Sequence, residues 1–148
     1  MINDLRGHVA GDAVIARTAN SIRESIRLGD VCARLGGDEF LVFAPDCDAV
    51  EAQRIARKIL ASLSKHGMPL AHVNFSVSIG IAAYEGANID FARMYREADE
   101  ALYEARAEGK SRIGLFAPST TGAFGSDRNS DIAPLATPFV VAKDDWSR

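Results

Sequence analysis

Arg34-Leu35-Gly36-Gly37-Asp38-Glu39-Phe40 sets two glycines against two carboxylates. Glycines let a bulky group come close to the backbone, and free amides at a turn favour anions. Adjacent carboxylates suit a hard cation such as Mg²⁺. Backbone amides, a hard cation and an acidic group are a recurring set of parts for phosphoryl transfer. The same residues also read as a plain hairpin turn with exposed acids, because Gly-Gly supplies the positive φ that a tight turn needs. Spacing alone leaves both readings open.

The flanking segments show what must hold that turn. Val31 to Leu35 and Glu39 to Phe43 are apolar, β-branched or aromatic, and predict the two arms of a hairpin. Before them, Ile15, Ala19, Ile22 and Ile26 recur at helical spacing and predict a helix over 11–28, with Asp12 as N-cap and Gly29 as stop. A polar loop is expected ahead of it. A second helix spans 48–65, with Asp48 and Glu51 at capping-box spacing and Ala52, Ile55, Ile59 and Leu63 inward. From His72 to Ala83 the apolar residues Val73, Phe75, Val77, Ile79 and Ile81 alternate with small or polar ones, a strand with one buried face. A third helix over 90–108 carries Phe91, Met94, Ala98, Leu102 and Ala105, and a short strand follows over 112–116. The order predicts an α+β layer sandwich, helices on a largely antiparallel sheet. From Ala117 the periodicity fails among Pro118, Pro134 and Pro138, so 117–148 reads as a flexible tail with one apolar patch at Phe139–Ala142.

Composition narrows the rest. The 148 residues fit one domain, 47% hydrophobic and 25% charged. A net charge of −3 disfavours nucleic-acid binding through bulk charge but leaves room for a small anion. Cys32 and Cys47 form no metal-ligand spacing, which fits a reducing cytoplasm. His66 and His72 pair with no acid at metal spacing, and nothing beside Cys32 in sequence would activate it. There is neither an apolar signal core nor a run long enough for a membrane helix, so a soluble cytoplasmic protein is expected.

Four segments together resemble one family. Gly36-Gly37-Asp38-Glu39-Phe40 is similar to the signature of the GGDEF family, the diguanylate cyclases. Ile2 to Asp12 resembles its IND-x-x-GH-x-x-GD segment, Ser78-Ile79-Gly80 its S-I-G strand, and Ala98 to Tyr103 its AD-x-ALY helix. The resemblance implies a GGDEF domain over 1–116 with the nucleotide-cyclase palm fold, a ferredoxin-like antiparallel sheet with flanking helices. It implies condensation of two GTP into cyclic di-GMP and pyrophosphate in a homodimer, with Mg²⁺ or Mn²⁺ as cofactor.

Carried over, Asp38 is the metal ligand and catalytic carboxylate, and Glu39 the second acidic group. Neighbours in a strand point to opposite faces, so the two serve one site only if the turn bends. Asn3 and Asp12, with His8 nearby, would meet the guanine edge. From the residues alone, Asp12 is equally an N-cap and the other two loop residues. Gly36 and Gly37 would admit the phosphates, and Arg106 and Lys110 would contact them. The family more often has Lys then Arg at those two places. Arg27-Leu28-Gly29-Asp30 matches the family's R-x-x-D inhibitory site for cyclic di-GMP, though it also reads as a helix-end Arg followed by a turn Asp.

The family opens with an inner strand carrying D-x-D-x-F-K. Here Met1 stands directly before Ile2, so the N-terminal strand is expected to be absent, and one metal carboxylate with it. Two functions remain in view: a cyclase of reduced activity, or a module that binds cyclic di-GMP or GTP.

Overall fold

Helical and alternating periodicity place the chain's elements, and the computed structural model describes residues 2–65, 76–85, 90–109, 111–116 and 135–144. In chain order these are α1 (Ile2–Arg23), β1 (Val31–Gly36), β2 (Glu39–Pro45), α2 (Ala49–Lys65), β3 (Ser76–Ile81), β4 (Tyr84–Glu85), α3 (Phe91–Ala107), β5 (Ile113–Leu115) and β6 (Leu135–Asp144). The sheet runs β1-β2-β6-β3-β5, with β4 also on β6. Every pairing is antiparallel except β3 with β5.

Two helices begin at capping aspartates, and the first of these caps is the one predicted. Asp48 Oδ1 accepts from the Glu51 amide at 2.7 Å at the start of α2. Asp90 Oδ1 accepts from the Ala92 and Arg93 amides at 3.0 and 3.3 Å and starts α3. α1 differs. Its hydrogen-bond ladder begins at Ile2, so the expected polar loop is helix, and Asp12 lies inside α1 as an exposed residue instead of capping it. α1 also ends at Arg23, short of Leu28. There the Ser25 hydroxyl donates to the Ser21 carbonyl at 2.6 Å, and such local bonds compete with helix continuation.

The sheet is covered on both faces. Phe40, Val42, Val77, Ile79 and Ile81 pack with Ile22 of α1 and Ala52, Ile55, Ile59 and Leu63 of α2. On the other face Leu41 and Ala82 meet Ala98 and Leu102 of α3. Each fully buried Ile stabilises the fold by roughly 1.5–3 kcal/mol. β3 is therefore buried on both faces, where its alternation predicts one. α3 sits directly on backbone at two glycines. A Cβ on Gly80 would strike the backbone of Ala98 and Leu102, and one on Gly114 that of Ala101. Phe91, expected on the inner stripe of α3, is 52% exposed.

The largest difference lies in 117–148. Instead of an unstructured tail, residues 135–144 form β6, inserted between β2 and β3 and antiparallel to both. β6 thus occupies an inner position of the sheet. Pro138 is accommodated because it pairs only with Phe43 of β2. On the other side the ladder breaks there, between Phe139 opposite Ile81 and Ala136 opposite Tyr84. The expected Val73 and Phe75, with His66, His72, Lys110 and Trp146, lie outside the described residues.

Candidate active site

The signature turn closes the β1–β2 hairpin. Gly36 pairs with Glu39, leaving Gly37 and Asp38 as the loop, and the register shifts between Arg34 and Gly36. Gly37 has φ +49°, a left-handed conformation that L side chains adopt at a cost. Arg34 clamps the turn: its Nε and Nη2 both donate to the Gly37 carbonyl, at 3.0 and 2.6 Å. Asp38 and Glu39 are half-buried.

Register fixes what shares this end of the sheet. Glu39 lies opposite Ala142, which lies opposite Ser78, and Ile79 lies opposite Ile113. Thus β2, β3 and β5 begin at one end. The signature turn and the α3–β5 connection share that end, about 14 Å apart across three strand spacings. Arg106 is exposed in the last turn of α3, just ahead of that connection.

A cleft of about 500 Å³ opens between α1 and the hairpin, lined among others by Asp12, Arg23, Cys32, Arg34 and Phe40. It brings Asp12 beside the arm that carries the turn. It does not bring Asn3 beside Asp12. On a continuous helix nine residues span about 13 Å and two and a half turns, so the two stand half a turn out of phase. His8, one turn before Asp12, shares its helix face.

Sequence reasoning missed Tyr95. Its phenol donates to Glu39 Oε1 at 2.7 Å, bridging α3 and β2 across 56 residues. That bond, then partial burial, then the charges of Glu39 and Asp99, push the phenol up to about 12. The available signal was a tyrosine beside Met94 on the inner side of α3, where a half-buried hydroxyl needs a partner. Glu51 was read only as a cap. Its carboxylate also pairs with Arg27 at 2.6 Å. Asp30 Oδ2 accepts from the Arg27 amide at 2.8 Å, and the Asp30 amide donates back to the Arg27 carbonyl at 3.1 Å. The R-x-x-D segment is thus a closed turn with both charged residues together. Neither Cys32 nor Cys47 is in a disulfide. Burial raises both, Cys47 to about 11, so neither is a nucleophile near neutral pH.

Among the described residues no three acids, histidines or cysteines converge into a metal cage. The turn still fits Mg²⁺, which keeps several waters and binds through one or two carboxylates plus substrate phosphates.

A mixed sheet with helices on both faces and an acidic Gly-Gly turn at its shared strand starts is the architecture of a nucleotide-cyclase palm domain. Residues 1–112 match the family described as diguanylate cyclase, GGDEF domain, and the chain belongs to that family. Diguanylate cyclase DgcM of Escherichia coli is 36% identical over 115 residues, 76% of this chain and 27% of DgcM. Response regulator PleD of Caulobacter vibrioides is 34% identical over 116 residues, 76% of this chain and 26% of PleD. The chain thus spans about a quarter of the length of these relatives. Among solved structures, the active GGEEF domain of a diguanylate cyclase from Vibrio cholerae superposes with a TM-score of 0.68 at 28% identity, covering 80% of this chain and 76% of that one. An EAL/GGDEF domain protein from M. capsulatus superposes with a TM-score of 0.61 at 35% identity, covering 79% and 77%. No described helix is long and apolar enough to cross a membrane.

Proposed function

We propose that this chain is a diguanylate cyclase domain that condenses two GTP into cyclic di-GMP and pyrophosphate as a homodimer. The observation that carries the reading is the Gly37–Asp38 turn, clamped by Arg34, at the same sheet end as the α3–β5 connection and beside the Asp12 cleft. Two cysteines held as thiols suit a cytoplasmic site of action.

Asp38 would hold a divalent cation, Mg²⁺ or Mn²⁺. When bound, that ion spreads the charge developing on the phosphates. Gly36 and Gly37 leave the turn backbone open to the phosphates. Asp12, with His8 one turn away, meets the guanine edge, where a carboxylate accepts from guanine N–H groups. Asn3 is out of phase with that pair and contacts the nucleotide separately or not at all. Arg106 approaches the triphosphate from the α3 end, and Lys110, four positions on in the sequence, is assigned to the same phosphates. The 3′-oxygen of one GTP bonds to the α-phosphorus of the other, the bond to the bridging oxygen breaks, and pyrophosphate leaves. The hydroxyl proton passes to a carboxylate of the turn. A second such step with the roles exchanged closes the ring.

Mass spectrometry after incubating the full chain with GTP and Mg²⁺ tests this. Cyclic di-GMP is expected, falling about a hundredfold or more in Asp38→Ala. No product from a folded chain would overturn it. A second reading, a module that binds cyclic di-GMP, is favoured by the closed Arg27–Asp30 turn. Calorimetric affinity that vanishes in Arg27→Ala, without turnover, would establish it.

A further inference from the structure

Asp38 and Glu39 are adjacent in sequence but differ in surroundings. Glu39 opens β2, and its carboxylate is hydrogen-bonded to α3. A glutamate beside a turn has three rotatable side-chain bonds and, left alone, many orientations. Here one oxygen accepts a short hydrogen bond from a phenol, the stronger charge-assisted kind.

The donor stands on a fixed base. Tyr95 packs against the cluster of Leu41, Ala82, Ala98 and Leu102. One to two turns further along α3, Ala98 and Leu102 rest on Gly80, and Ala101 rests on Gly114, with no room for a Cβ between helix and strand. α3 cannot slide over the sheet without losing those contacts, so the phenol is held in place relative to β2.

We propose that Tyr95 is a positioning residue for Glu39, holding one of its carboxylate oxygens against α3 so that Glu39 meets the reacting nucleotides through its other oxygen alone and in a fixed direction. This rests on the diguanylate cyclase reading, and it divides the turn's two acids: Asp38 is left free to take a cation while Glu39 is oriented by the protein.

Tyr95→Phe keeps the ring and removes only the donor. The expected result is a folded variant whose turnover number falls about tenfold, with the KM for GTP within about twofold. The loss falls on the turnover number and not on KM because the bond orients Glu39 without touching the bound GTP. A readout independent of activity is NMR of the full chain with ¹³Cζ-labelled tyrosine at neutral pH. One of the three tyrosine signals should move in Glu39→Ala, and the same signal should be missing in Tyr95→Phe. An active chain whose Tyr95→Phe variant keeps its turnover number overturns the inference alone, as does an unmoved tyrosine signal in Glu39→Ala. A folded wild-type chain that makes no product overturns the cyclase reading and this role together, even where the NMR shows the hydrogen bond intact.

Discussion

Strands β1 and β2 close on each other through the two-residue loop Gly37–Asp38, whereas β6 reaches β2 and β3 only from the far end of the described chain. The hairpin is an edge feature with one neighbour beyond it. β6 is central, with a ladder on each side. One is built by local turn chemistry, the other by filling a gap between two strands that are not paired with each other. The signature turn therefore depends on its own residues for its shape but on a distant segment for the strand beside it.

Proline substitution separates the two kinds of strand most sharply. Val140 pairs with Leu41 on one side and Gly80 on the other, so proline there removes a ladder bond whichever way the amide points. Val140→Pro should cost about 3 kcal/mol or more and unfold the domain near room temperature. Val31→Pro, at the first residue of the edge strand β1, should cost under about 1 kcal/mol. Urea midpoints read both, and equal costs would remove the contrast. Next in size is the turn itself. Gly37→Ala puts a Cβ in a left-handed conformation and should cost about 1–2 kcal/mol, with a larger loss of turnover than of stability. Smallest is the effect at the approach to β1. Glu51 competes for the Arg27 guanidinium at a half-exposed pair worth up to about 1 kcal/mol. Glu51→Gln should tighten cyclic di-GMP binding up to about fivefold by calorimetry. Unchanged affinity would mean that Arg27 is not part of that site.

What the residues disclosed in advance follows the same division. The hairpin and the Asp48 cap depend on neighbours within a few positions, and each formed where those neighbours predict. β6 did not show itself, because Thr137 and Pro138 interrupt its apolar run and proline argues against a central strand. Only the pairing pattern shows that Pro138 falls where β6 has a partner on one side. In the site, the Gly36–Glu39 turn was legible from spacing. Tyr95 was not, because its partner lies 56 residues away and no local pattern marks the pair. The relation of Asn3 to Asp12 depended on whether the segment between them is helical, and its polar residues read as a loop.

The position of β6 also sets the order in which the molecule is built. It is the last of the described elements to be synthesised, yet it occupies the middle of the sheet. Until it arrives, β2 and β3 each present a row of unpaired amides and carbonyls, the surface on which strands of separate chains associate. Partial products ending before residue 135 are therefore the aggregation-prone species, and completing the sheet requires closing the connection 116–134, a long-range and slow step.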